Sequence, residues 1–134
     1  MALTVEEKTL AKHRLDRAED TLREAREELS RSNFRLAVNR AYYSAFYAMR
    51  ALLATIGKDS SKHSGVAALF NQHFIKTGIV PEVGLKSIQA LMDLRHEGDY
   101  QDFAEITEDE ANGAVSSAAT IIGLLKEKLD EILK

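Results

Sequence analysis

Five stretches of the chain repeat apolar residues at helical spacing. In the first, Ala11, Leu15, Ala18, Leu22, Ala25 and Leu29 recur four and three apart between charged residues, the narrow stripe of a bundle seam. Thr4 with Glu7 forms a capping box, which predicts a helix from Val5 to about Leu29. Ser30 to Asn33 is a turn signal. A second helix is predicted from Phe34 to about Ile56, closed by Gly57. Its wide stripe of Phe34, Val38, Ala41, Tyr42, Ala45, Phe46, Met49, Leu52, Leu53 and Ile56 marks it as the most buried element.

A polar loop, Lys58 to Gly65, leads to a third helix over about Ser64–Lys76, with Gly78 just past its end. Ser64 is its expected cap. Pro81 suits the first turn of a fourth helix, whose apolar face runs Leu85, Ile88, Leu91, Met92 and then, unexpectedly, Arg95. Gly98 is expected to end or loosen it. A second capping box, Thr107 with Glu110, opens a last helix to about Leu133, with Ala111, Ala114, Val115, Ala118, Ile122, Leu125, Leu129 and Ile132 inside. Nothing alternates with period two. The expected fold is all-α, an antiparallel four- to five-helix bundle in a single domain over 1–134.

Composition narrows the function. The chain has 134 residues, a net charge of −3 and no cysteine. That excludes disulfides, thiol nucleophiles and thiolate metal sites, and argues against a broadly basic nucleic-acid binder. No apolar run approaches the roughly 18 residues of a membrane span, and the charged start does not resemble a signal peptide. A cytoplasmic location is expected. There is no phosphate loop, no metalloprotease helix and no regular histidine spacing among His13, His63, His73 and His96, so neither cofactor nor metal is expected.

Polar groups interrupt the core pattern in three places. Asn39, Tyr43 and Tyr47 are four apart on the second helix, with Arg40 and Ser44 beside them. They form either a boundary row with wet hydroxyls or a pocket wall. Arg95 extends an apolar face and has Asp99 four residues on and Tyr100 beside that. This cluster reads either as a structural ion pair or as an anion site. Lys62, His63 and Ser64, with Lys58 nearby, open the third helix, where free amides favour anions.

Three of these segments together resemble a known family. LAVNRAYYSAFYAMRALL, then KHSGVAALFNQHFIKTG, then LRHEGDY are similar in kind and order to the HEPN (higher eukaryotes and prokaryotes nucleotide-binding) family, in particular its small stand-alone prokaryotic members. The resemblance spans nearly the whole chain. It implies a helical bundle that forms homodimers and works beside a minimal nucleotidyltransferase in a toxin–antitoxin-like module. Many members are metal-independent ribonucleases with an Arg and a His separated by four to six residues. Arg95 stands at the family's Arg. The His would fall at 100, 101 or 102, where this chain has Tyr100, Gln101 and Asp102. His96 is adjacent to Arg95 and so points about 100° away on a helix.

Together with the polar groups read above, the resemblance points to a domain that binds nucleotide or RNA phosphate, with Arg95 placed by the resemblance and Asn39, Arg40, Tyr43, Tyr47, Lys62, His63 and Ser64, read from the residues, as further contacts. One alternative is a ribonuclease toxin using Arg95 with Asp99 and Tyr100 in place of the His. A second is a purely structural interaction module.

Overall fold

The computed structural model describes residues 3–100 and 105–134, without the side chains of 83–85 and 100. Five α-helices account for it: α1 (Val5–Ser30), α2 (Phe34–Ala54), α3 (His63–Phe70), α4 (Val83–Tyr100) and α5 (Glu108–Ile132). No strand occurs among the described residues. The fold is an all-α bundle.

Both predicted capping boxes are made. Thr4 Oγ1 accepts from the Glu7 amide at 3.0 Å, and Thr107 Oγ1 from the Glu110 amide at 3.1 Å. Each satisfies an orphan donor at the start of a long helix. Gly57 takes φ 66° just beyond α2 and Gly78 takes φ 79°, a region glycine enters without steric cost.

α2 is the central element and packs against α1, α3, α4 and α5. Ala37, Ala41, Ala45, Ala48 and Ala51 on α2 are essentially inaccessible. So are Ala11, Ala18 and Ala25, which alternate with Leu15 and Leu22 on α1. Small residues on both helices let these neighbours approach closely, and the leucines are buried with them. Val38, Met49, Leu52, Leu53, Leu125 and Leu129 complete the same core.

Several details differ from the sequence reading. Pro81 precedes α4 and is not in its first turn, and Ile56 lies beyond α2 and is exposed. α3 begins at His63 with Lys62 as N-cap and no side-chain cap bond, so Ser64 lies inside the first turn and caps nothing. After Phe70 the helix widens into a π turn, Asn71–Ile75. Phe70 and Phe74 stay stacked at 5.5 Å inside the core, and Val80 N–H donates to the Phe74 carbonyl at 2.8 Å, folding the chain back. Gly98 does not end α4, which continues to Tyr100. A β-carbon there would stand 3.3 Å from Ile106 Cγ1 and 3.5 Å from Arg35 Cγ. Gly98 thus lets α4 lie close to the start of α2, one turn from Arg95.

Candidate functional site

The polar row of α2 and the end of α4 meet. The guanidinium carbon of Arg95 lies 4.6 Å from the centre of the Tyr42 ring and 5.7 Å from that of Tyr43. Its Nη1 donates to the Tyr43 hydroxyl at 3.3 Å. Stacking on aromatic faces suits the weakly hydrated, planar guanidinium and holds its charge in place.

On the same rings sits His63, the first residue of α3. Its Nδ1 is 3.1 Å from the Tyr42 hydroxyl, and its ring centre is 4.5 Å from Phe46, 5.4 Å from Tyr43 and 5.7 Å from Tyr42. Tyr42 therefore joins two groups from different helices: its ring carries Arg95 and its hydroxyl carries His63. Burial pushes the Tyr42 phenol up to about 12, a rise that the positive charge of Arg95 partly opposes; the hydroxyl stays protonated at neutral pH. Burial also lowers the His63 imidazole, and the Arg95 charge lowers it further.

Further guanidiniums line the α1–α2 side. Arg40 lies 5.2 Å from the Tyr43 ring centre, Arg17 of α1 lies 4.5 Å from that of Tyr47 and donates to its hydroxyl at 3.2 Å, and Arg50 lies 5.9 Å from that of Phe46. Arg40 also donates to Asn39 Oδ1 at 2.8 Å and approaches Glu24 at 3.7 Å. Arginine and aromatic rings thus alternate along one face. Beside it opens a groove of about 510 Å³ lined by Asn33, Phe34, Arg35, Leu36, Asn39 and Asp99.

The predicted site residues divide into those this cluster gathers and those it does not. Asn39, Arg40, Tyr43, Tyr47, His63 and Arg95 come together. Asp99 is at the edge, but it accepts from Asn39 Nδ2 at 3.2 Å, and among the described residues no ion pair joins it to Arg95. The intrahelical pair expected from the spacing is therefore replaced by a link between α4 and α2. Lys62 and Ser64 are exposed and, among the described residues, join none of the cluster's hydrogen bonds or ring contacts. The Lys62 amide instead donates to Ser60 Oγ at 3.2 Å. The side chain of Tyr100 and residues Gln101 and Asp102 lie outside the description. Sequence reasoning missed Tyr42, counted as one more apolar residue of the α2 stripe, and Arg17, counted as part of a solvated face. Among the described residues no group of three or more His, Asp or Glu converges as a metal site, and no helix is long and apolar enough to cross a membrane.

A second polar cluster ties down the loop after α2. Asp59 receives Arg50 at 2.8 Å and Arg14 at 3.2 Å, and Arg14 also donates to the Arg50 carbonyl at 3.2 Å. The hydrogen bond from Arg50 is the largest influence lowering the Asp59 carboxyl. This clamp fixes the segment that leads to His63.

Comparison with known proteins agrees with the fold and the motifs. A UPF0332 protein of Thermotoga maritima is 38% identical over 118 residues, covering 88% of this chain and 89% of that protein. A protein of Methanocaldococcus jannaschii, named provisionally as a toxin, is 34% identical over 116 residues, covering 87% of this chain and 86% of its own. The crystal structure of TT1696 from Thermus thermophilus superposes with a TM-score of 0.76 over 88% of this chain and 97% of that one, at 23% identity, which speaks for the fold alone. The HEPN domain profile matches residues 11–129, and the chain belongs to the HEPN domain family.

Proposed function

We propose that this protein is the HEPN component of a toxin–antitoxin-like module, that it binds a phosphate of nucleotide or RNA through Arg95, and that it acts as a homodimer beside a minimal nucleotidyltransferase. The toxin role rests on family membership and on the relatives named as toxins. The phosphate role rests above all on one observation: Arg95 is stacked on Tyr42 and bonded to the Tyr43 hydroxyl while staying partly exposed. A guanidinium fixed in this way loses little further freedom on gripping a phosphate. Arg17, Arg40 and the tyrosine rings extend it into a track where bases can stack and a phosphate backbone can run.

The test is titration of ATP, GTP and a short single-stranded RNA into wild type and Arg95→Ala. Loss of a charge-assisted contact of about 1.5–3 kcal/mol weakens binding roughly 10- to 100-fold, and affinity for RNA falls with salt. Wild type that binds none of the three up to millimolar concentration overturns the reading; equal binding by Arg95→Ala moves the site elsewhere. Light scattering at twice the 14.9 kDa of one chain, and co-purification with the nucleotidyltransferase, test the two partner statements.

A second reading is a metal-independent ribonuclease. Asp99 and Tyr100 are one source of the proton transfer it needs, but Asp99 is exposed and engaged by Asn39. What favours this reading is a different group, the imidazole of His63 on the rings that carry Arg95.

A further inference from the structure

We propose that His63 is the catalytic residue that replaces the histidine missing after Arg95: held by Tyr42, it is the general base of a ribonuclease site whose electrophilic half is Arg95. The inference rests on the reading of Arg95 as a phosphate contact and adds a reaction to it.

The geometry has three parts. First, His63 and Arg95 are packed on the same two rings, Tyr42 and Tyr43, though they are 32 residues apart in sequence and on different helices. Second, the imidazole is oriented. The Tyr42 hydroxyl takes Nδ1, and Phe46 and Tyr43 pack against the ring, leaving Nε2 as the nitrogen for chemistry. When Nδ1 carries the proton and donates to the Tyr42 oxygen, Nε2 presents its lone pair, the arrangement a base needs. Third, the imidazole is only partly buried, so a strand lying along the arginine–tyrosine face reaches it. The charged and titratable groups around it are Arg95 from α4, Tyr42 and Tyr43 from α2, Arg50 against Phe46, and Lys62 on its own segment. Burial and Arg95 both disfavour the imidazolium, which keeps the resting base neutral.

The step balances without oxidant, reductant or metal. The RNA 2′-oxygen attacks the adjacent phosphorus as its proton passes to Nε2. The bond from phosphorus to the 5′-oxygen breaks, and that oxygen takes a proton from water. The imidazolium then returns its proton to solvent. The products are a 2′,3′-cyclic phosphate and a 5′-hydroxyl. Arg95 offsets the charge that builds on the phosphoryl oxygens. The negative charge on those oxygens in turn offsets the part of the imidazolium's cost that comes from Arg95.

The experiment uses the full chain, a single-stranded RNA oligonucleotide and excess chelator, reading cyclic-phosphate and 5′-hydroxyl ends. Wild type is expected to cleave, with a rate that rises with pH and levels off at or below the ordinary histidine value of 6.5. His63→Gln is expected to lose about 10²- to 10⁴-fold while binding RNA nearly as well as wild type. Added imidazole is expected to restore part of the activity of His63→Gly. His96→Ala, altered at the neighbour of Arg95, is expected to cleave like wild type. Cleavage by His63→Gln at the wild-type rate overturns the assignment. Wild type that binds RNA but makes no cyclic-phosphate ends overturns it too and leaves the binding reading standing, whereas failure to bind RNA removes that reading itself. If His63→Gln does not fold, the wild-type pH profile decides: an inflection absent at and below 6.5 counts against His63.

Discussion

The Tyr42–His63 contact makes a prediction about sign, not only size. Tyr42 is 1% exposed, and its hydroxyl meets Nδ1 of His63 at 3.1 Å. Tyr42→Phe keeps the ring, and with it the Arg95 stack, and removes one hydrogen bond. The imidazole is partly exposed, so water can satisfy the nitrogen left behind. The cost is that of one net hydrogen bond, about 1 kcal/mol. His63→Ala is different. It removes the ring contacts to Phe46, Tyr42 and Tyr43 and leaves a buried hydroxyl without its partner, which costs about 1–3 kcal/mol by itself; with the lost ring contacts the expected total is about 2–4 kcal/mol. In the His63→Ala background that stranded hydroxyl is the liability, so adding Tyr42→Phe is expected to be neutral or stabilising. The coupling between the two changes is then about 1–2 kcal/mol. Urea unfolding followed by circular dichroism, above the ordinary histidine pKa of 6.5, measures all four members of the cycle. For a chain of this length 1 kcal/mol corresponds to about 3–5 °C in melting temperature, so thermal scans offer a second reading. If Tyr42→Phe costs the same in both backgrounds, the hydroxyl–imidazole bond is not made in solution, and the orientation argued for His63 goes with it.

Three further outcomes follow from other parts of the structure. The folded imidazole of His63 sits below its ordinary value of 6.5, so as pH falls through 6.5 the unfolded chain takes up the proton first; this contribution to stability is complete above 6.5 and is lost until the folded imidazole also protonates. Comparing urea midpoints of wild type and His63→Gln across that window tests it, with a shallower decline expected in the variant. Asp59→Ala leaves Arg14, whose side chain is 12% exposed, facing Arg50 without the carboxylate that joins them. A loss of about 1–2 kcal/mol and faster proteolysis within Lys58–Lys62 are expected, and unchanged values would mean that the clamp does not hold the loop. Ala18→Leu forces a larger side chain into a position with no accessible surface between α1 and its neighbours. About 1–3 kcal/mol of destabilisation is expected from overpacking, and a neutral result in denaturant would show that the seam is looser than its alanines suggest.

Most of the fold was legible because its determinants are local. Thr4 with Glu7 and Thr107 with Glu110 mark helix starts through bonds made within a single turn. The apolar stripes of α1, α2 and α5 face the core as their spacing required, except at Ile56, which lies beyond the end of α2 and is exposed. What escaped the reading depends on packing between distant segments. The widening at Asn71–Ile75 keeps Phe70 and Phe74 stacked in the core, a demand set by their surroundings and not by the residues NQHFI. Gly98 reads as a helix breaker by propensity, yet Ile106 and Arg35 occupy the space a side chain would need. There the close approach decides the residue and outweighs the propensity.

The site was legible in half for the same kind of reason. Periodicity assigns a residue to a face of its own helix, and that sufficed for Asn39, Arg40, Tyr43 and Tyr47 on α2. It does not say which other helix arrives opposite that face. Arg95 and Asp99 were coupled in the sequence because they are four apart, but Asp99 goes to Asn39 and Arg95 to Tyr42 and Tyr43. A guanidinium beside two tyrosine rings at the edge of the core gains more from them than from an exposed carboxylate, whose pairing contributes only about 0.3–0.5 kcal/mol. Tyr42 was hidden by its own burial: at a stripe position a tyrosine looks like one more apolar ring, and only the structure shows that its hydroxyl has a partner. That partner is His63, delivered by a loop that Asp59 clamps to Arg14 and Arg50. A search for a histidine at positions 100–102 does not reach His63, which lies 32 residues before Arg95 in the chain. The proposed base and the proposed phosphate contact need to share a surface, and the Tyr42 and Tyr43 rings of α2 carry both side chains.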